Sequence, residues 1–423
     1  MGKNIKRIGF ISTRIAGTDG VSLEIAKWAE ILRRNNFRCF YFAGELDRDP
    51  ESSFLVKKAH FEDPEIQKIN EQIIGKRERS REVSESIRVW IDYLKNKIYS
   101  FVEKFDIDLI ILENALAIPM NIPLGIALTE FIAETHIPTI AHHHDFYWER
   151  DRYLINAADD YLQSSFPPDL HPIQHVVINS IASEQLSHRK GISNTIIPNV
   201  YDFENPPPPP DNYCENLRKY IGLAQDDIFV LQPTRIVPRK SIERAIEIVY
   251  QLHPKRPKLV ISHASGDEGG EYKERITEYA KHWGVELLFI DHLIGLQRRK
   301  KTEGEKMFTI GDVYQCADIV TYPSGYEGFG NAFLETIYYK KPIAVNRYSI
   351  YIADIEPKGF NVVSFDGFVT KKTIKKIERI LNNDKLRQKM IDENYRIARK
   401  YFSYQLLEDS LLRLVELCEK RKN

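Results

Sequence analysis

Two carboxylates, Glu327 and Glu335, stand with seven residues between them, and that interval opens with Gly328, Phe329, Gly330 and Asn331 before running on as an apolar, helix-like stretch. Ionised carboxylates accept hydrogen bonds from hydroxyl groups. A glycine-rich turn that opens a helix suits an anion. The first helical turn leaves backbone N–H groups without intrahelical partners and carries the positive end of the helix dipole. A phosphate flanked by hydroxyls describes a nucleotide sugar. The same half supplies cations: on the loop 232–240, Arg235 and Lys240 stand with Arg239 beside them, between a strand and a helix. A guanidinium grips a diphosphate with a planar fork, and an ammonium acts as a point charge.

These segments need elements to position them. In the first half, short β-branched runs at 7–12, 38–42, 109–112, 139–141, 175–178 and 195–197 alternate with helical patterns such as 22–33, 82–104 and 122–134. The pattern restarts with strands expected at 228–232, 258–262, 286–290, 319–322, 343–346 and 361–364, and helices at 241–252, 271–283, 331–339 and 373–382. Strand–helix alternation of this kind predicts α/β architecture, with parallel sheets covered on both faces. Ligands of such sheets bind at the carboxyl ends of the strands, so two of them predict an interdomain cleft. Five consecutive prolines, 206–210, read as a stiff extended spacer. The expected division is a first domain over 1–205, a linker over 206–226, a second domain over 227–400, and a C-terminal helix over 401–423 that packs back on the first. Leucines at helical spacing in 404–420 require an apolar surface for that helix.

Composition narrows the function classes. Over 423 residues the chain holds 60 Lys plus Arg against 60 Asp plus Glu, which gives no support for nucleic-acid binding. The basic run 298–301 reads as a solvated loop. Cys39, Cys214, Cys316 and Cys418 form no CxxC pair, so neither a zinc site nor a disulfide framework is expected, and a cytoplasmic location fits. The chain enters its first strand too early for a signal peptide. The most apolar stretch, 115–128, is too short and too broken by Pro119 and Pro123 to span a bilayer.

The Arg235…Lys240 pair, the Glu327…Glu335 segment and the phrase Ile197-Pro-Asn199, in this order, resemble the family-four retaining glycosyltransferases of GT-B fold, also called glycosyl transferases group 1. The resemblance implies two Rossmann-like doubly wound domains facing a cleft. It implies that Arg235 and Lys240 bind the donor diphosphate, that Glu327 with the Gly328, Phe329, Gly330 and Asn331 turn holds the transferred sugar, and that Glu335 holds the ribose hydroxyls. The loop from Gly17 to Gly20 is similar to the family's glycine loop near the donor phosphate. The family also carries a histidine after a strand of the first domain, close to the reacting sugar, and His142, His143 and His144 are candidates here. Adjacent residues of a strand alternate faces. His144 is therefore the first choice and His142 the second, on one face, and three neighbouring imidazoles do not converge on one metal ion. His142, His143, Asp145, Trp148 and Arg152 are expected on the acceptor side, where aromatic faces and charged forks suit sugars and phosphates.

The expected activity is hexosyl transfer from a nucleoside-diphosphate sugar of the UDP-glucose or GDP-mannose type to an acceptor hydroxyl, on a small solute, a sugar or a glycan. No metal and no further cofactor are expected. Membrane association is not favoured by zero net charge. The rival readings are a sugar-nucleotide epimerase, which would act without an acceptor, and a non-catalytic nucleotide-sugar-binding partner, which would bind donor and turn nothing over.

Overall fold

The computed structural model describes residues 5–17, 19–252, 256–265, 270–300 and 306–421. The chain divides into two compact units, Met1–Asn199 with Gln405–Asn423, and Val200–Tyr404.

The first unit is built on seven parallel strands: β1 (Arg7–Ile11), β2 (Arg38–Ala43), β3 (Ser53–Leu55), β4 (Leu109–Glu113), β5 (Thr139–His143), β6 (Ile173–Val177) and β7 (Asn194–Ile196). Their order is β3-β2-β1-β4-β5-β6-β7. Every residue of β4 and β5 is buried, the signature of a sheet covered by helices on both faces. The helix Arg81–Phe105 shows how the cover is made. It buries Val83, Ile87, Ile91, Leu94, Ile98 and Phe101 on one stripe, starts at the cap Ser80 and stops at Asp106 in the left-handed region. A Cβ at Gly9 on β1 would come within 2.7 Å of the Phe101 ring, so this helix packs closely only over a glycine.

The second unit repeats the plan with β8 (Ile228–Gln232), β9 (Pro257–Ile261), β10 (Leu287–Phe289), β13 (Ile319–Tyr322), β14 (Ile343–Asn346) and β15 (Val363–Phe365), while β11 (Arg299–Lys300) and β12 (Lys306–Met307) form a small antiparallel ribbon. The sheet order is β10-β9-β8-β13-β14-β15. In both sheets the strand order reverses beside the first strand, between β1 and β4 and between β8 and β13. In open α/β sheets the carboxyl ends of the strands at such a switch point are the place for a ligand.

The C-terminal helix Tyr404–Arg421 belongs with the first unit over most of its length. It buries Leu407, Leu411 and Leu414, and its Glu419 and Glu408 accept hydrogen bonds from Ile5 N at 2.9 Å and Asn35 Nδ2 at 2.6 Å. One expectation needs correction. The stretch 206–226 is not all linker: Asn212–Tyr220 is a helix of the second unit, because Asp211 caps it after the proline run and Cys214 and Leu217 give it an apolar face. The four cysteines are free thiols. Arg298, at the head of the basic run, is held by Asp211 and Asp312, while Lys301 lies outside the described residues. Among the described residues no helix is long and apolar enough to cross a membrane.

Candidate functional site

In the second unit the two switch-point loops meet. β8 and β13 are hydrogen-bonded neighbours, and the loops that follow them are tied together where Gly325 N donates to the Arg239 carbonyl at 2.9 Å. That contact places Lys240 against Glu327. The Lys240 ammonium donates to Glu327 Oε1, and Arg239 donates to Oε2 at 3.0 Å and to the Tyr326 carbonyl at 3.3 Å. Both Lys240 and Glu327 are buried, whereas Arg235 and Arg239 are exposed.

The electrostatics show a surplus of positive charge. Burial opposes ionisation of Glu327, but Lys240 and then Arg239 outweigh it and hold the carboxyl below its ordinary value. Burial pulls the Lys240 ammonium down, and Arg239 and Arg235 add to that against the attraction of Glu327. His263, just beyond β9, is pushed down to about 4 by burial and then by Lys240 and Arg235. Lys240 and Arg239 thus share one carboxylate while Arg235 acts on Lys240, and a second anion would relieve these cations.

The glycine turn has a steric cause. Gly330 has φ +123°, and a Cβ there would lie 2.3 Å from the Tyr348 hydroxyl. That hydroxyl donates to the Phe329 carbonyl at 2.8 Å and so fixes the turn that opens the helix Asn331–Tyr338. The Phe329 ring packs edge-on against Phe402 with centroids 5.5 Å apart, so Phe329 offers the site its backbone. Glu335 is half-buried one turn into the helix and accepts a hydrogen bond from the Tyr314 hydroxyl at 2.8 Å.

The first unit carries a second cluster at the carboxyl ends of β4 and β5. Residue pairing of β4 with β5 sets Glu113 beside His142. Glu113 Oε2 accepts from His142 Nδ1 at 2.9 Å and from His144 Nε2 at 3.0 Å. Burial opposes the Glu113 charge, but His142 and the two ring hydrogen bonds hold its carboxyl at about 2. Burial likewise opposes charge on His144, and the bond to Glu113 reverses it, so His144 is raised above the ordinary histidine value. His142 is lowered by its burial. His143 points to the other face, as alternation requires, and its Nε2 lies 2.9 Å from His175 Nδ1. Burial drives His143 well below the usual value and His175 down to about 4, so both rings are neutral.

Among the described residues, Glu113, His142 and His144 are the one group of three ligand-type side chains whose atoms come within 4.8 Å of one another. The facing ring nitrogens are already hydrogen-bonded to one oxygen of the carboxylate, which links the trio as a network. On the neighbouring loop, Gly17 takes φ +73° and its N–H donates to Asp47 at 2.7 Å, while Asp19 caps the helix that starts at Gly20.

The acceptor-side candidates are held by their own surroundings. Asp145 accepts from Asn114 Nδ2 at 3.1 Å and from Arg150 Nε at 2.6 Å. Trp148 stacks on Phe146 at 4.4 Å and donates to Gln185 at 2.7 Å, and Arg152 donates to the Tyr153 hydroxyl. Sequence reasoning missed Glu113 and His263. The available signal for Glu113 was an acid closing an otherwise apolar buried strand; for His263 it was a polar residue just past the end of β9.

Residues 215–397 match the model of the family described as glycosyl transferases group 1. The chain is 34% identical over 382 residues to the mannosylglucosylglycerate synthase of Petrotoga mobilis, covering 84% of this chain and 86% of that one. It is 31% identical over 445 residues to the mannosylglucosylglycerate synthase of Thermotoga maritima, covering 97% and 99%. Among solved structures, a glycosyltransferase from Rickettsia africae ESF-5 has the same fold, with a TM-score of 0.70 at 13% identity over 98% of this chain and 99% of that one.

Proposed function

Because the chain belongs to the group 1 glycosyltransferases, enzymes that take a nucleotide-sugar donor, we propose that it moves a mannosyl group from GDP-mannose to a hydroxyl of glucosylglycerate, retaining the anomeric configuration and requiring no metal. The names of the two relatives describe a product in which mannose is joined to glucosylglycerate, and this supports the choice of donor sugar and acceptor.

The observation that carries the reading is the Lys240–Glu327–Arg239 cluster beside the Gly330 turn. An ammonium has three N–H donors, so Lys240 keeps two for a diphosphate after bonding Glu327. Arg235 and Arg239 add exposed guanidinium donors. Bond cleavage places growing negative charge on the leaving diphosphate, which these cations and the start of the helix Asn331–Tyr338 stabilise more strongly in the transition state than in the ground state. Glu327, held ionised, is an acceptor only, and takes hydrogen bonds from hydroxyls of the transferred sugar. Glu335 takes the ribose hydroxyls. His144, beside His142, is assigned to orient a sugar hydroxyl, and the Gly17–Gly20 loop to bind a phosphate.

No covalent nucleophile is assigned. The acceptor hydroxyl attacks the anomeric carbon on the face from which the diphosphate leaves. Its proton passes to the departing phosphate oxygen, and the new bond keeps the original configuration. Lys240 and the two guanidiniums neutralise the diphosphate without a metal.

The test incubates the enzyme with GDP-mannose or UDP-glucose and with glucosylglycerate, glycerate or no acceptor, with and without a chelator. The expected result is an α-mannoside of glucosylglycerate by mass spectrometry and anomeric NMR, formed in the presence of chelator. Conversion of a donor without acceptor, an inverted anomer, or loss of activity to the chelator contradicts the corresponding part.

A further inference from the structure

We propose that Glu113 is a positioning residue of the transfer site: from the end of β4 it fixes the ring orientation and tautomer of His142 and His144 by accepting a hydrogen bond from each on one carboxylate oxygen. This rests on the reading that His144 touches the transferred sugar.

The geometry makes Glu113 a rigid support. It is fully buried, and the β4–β5 pairing carries it to His142. The next residue, Asn114, has φ +60° and grips the same segment with its side chain: Oδ1 accepts from the His144 backbone N–H at 3.1 Å and Nδ2 donates to Asp145 Oδ1 at 3.1 Å. Trp28 stacks on the His142 ring at 4.2 Å and blocks its rotation. Glu113, which ends β4, and Asn114, which follows it, therefore hold both the chain and the rings of His142–His144.

The network costs stability. A buried carboxylate is unfavourable unless it is paired and hydrogen-bonded. Here the second oxygen, Oε1, and the far nitrogen of His142, Nε2, are buried without a hydrogen-bond partner. An apolar packing of the β4–β5 end would avoid that cost, and such departures from a consistent core mark functional sites. The bonds also define the tautomers. His144 carries a proton on Nε2, facing Glu113. His142 carries one on Nδ1, which leaves Nε2 as a lone pair.

The charged and titratable groups facing His144 are Glu113 from β4, His142 from β5, Asp145 on its own loop, and Glu24 from the helix Gly20–Arg34, itself bonded to Lys27 at 2.6 Å. The three acids favour the protonated ring, and Glu113 alone touches it.

The experiment uses the full-length protein and reads the histidine rings directly by nitrogen-correlated NMR, with steady-state kinetics across pH. In the wild type, His144 is expected to hold its Nε2 proton and to titrate above an ordinary histidine. Glu113→Gln keeps the shape and removes the charge. It should lower the His144 titration below the wild-type value, move the pH profile of kcat with it, and reduce kcat about 10- to 100-fold, with the KM for donor nearly unchanged. Glu113→Asp, which keeps the charge, should restore part of both effects. Wild-type His144 titrating at or below the ordinary value, equal ring titrations in wild type and Glu113→Gln, or a stoichiometric divalent metal in the purified protein would each overturn the proposal. The ring measurements need only the folded wild type, so a variant that fails to fold leaves a decisive result. His144→Ala with normal turnover would instead defeat the sugar-contact reading and leave the ring measurements standing.

Discussion

Lys240 and Glu327 lie 87 positions apart in the sequence and meet as a buried ion pair. Each sits on the loop after one of two adjacent parallel strands, β8 and β13, so the pairing of those strands brings them together. Arg239 takes the second carboxylate oxygen at 3.0 Å. The cations proposed to receive the diphosphate are thus assembled around a built-in anion before the donor arrives.

Removing one member of a buried pair leaves an uncompensated charge. Lys240→Ala is expected to destabilise the protein by about 3–5 kcal/mol. The double variant Lys240→Ala with Glu327→Gln removes the stranded charge and should recover much of that loss while remaining inactive. Denaturant unfolding of the three variants, read beside their turnover, separates the structural part of the pair from the chemical one.

Gly330→Ala places a methyl group in a left-handed position and against the Tyr348 hydroxyl. The expected result is a loss of about 1–3 kcal/mol of stability and weaker donor binding, because the turn must shift. Adding Tyr348→Phe removes the clashing oxygen and should restore part of the stability. A variant as stable as the wild type would show that this turn is not sterically locked.

Glu335→Ala tests the ribose assignment. It should raise the donor KM about 10-fold, the cost of roughly one lost hydrogen bond to a charged group, with a smaller change in kcat. A 2′-deoxyribose or 3′-deoxyribose donor should show the same penalty with the wild type. At least one of the two should show no further penalty with the variant. Additive penalties for both donors would place the ribose elsewhere.

Much of this arrangement was legible in the sequence. Strands 228–232, 319–322 and 343–346 appear with the bounds read from their β-branched runs, because a doubly covered parallel strand is apolar along its whole length. The short edge strand Ser53–Leu55, only partly buried, carries no such run and was missed. The helix Asp384–Tyr401 was missed because its charged residues outnumber the few it buries, among them Met390, Ile391 and Ile397. In the site, the cations and carboxylates stood out because they interrupt strand–turn–helix junctions. Glu113 did not, since an acid ending an apolar strand looks like a solvated strand end. Its contact with His142 and His144 depends on the residue pairing of β4 and β5, which spacing along the chain does not disclose. Arg239 was visible beside Lys240, but its bond to Glu327 is set by the turn at Pro238–Lys240.

The buried histidine pair predicts a pH dependence of stability. His175 has an ordinary value of 6.5 and is pushed down to about 4 by burial, and His143 moves the same way. Between those limits the unfolded chain binds more protons than the folded one, so stability falls as pH falls through this window. His175 alone accounts for on the order of 3 kcal/mol across it. Glu113 extends the loss further toward acid: its folded value of about 2 lies below the ordinary carboxylate value, so its stabilisation is lost as pH falls toward 2. Denaturant midpoints from pH 7 to pH 4 check the first part, and His175→Gln should flatten the curve. An unchanged slope in that variant would refute the assignment.

On the proposed mechanism, the Lys240 and Glu327 cluster drives departure of the donor diphosphate. The most direct measurement is single-turnover mannosyl transfer from GDP-mannose to glucosylglycerate at saturating donor, in the wild type and in Lys240→Ala. The expected transfer rate is about 100- to 1,000-fold lower in the variant, with folding confirmed under the same conditions. A folded Lys240→Ala enzyme that transfers mannose at the wild-type rate would contradict it.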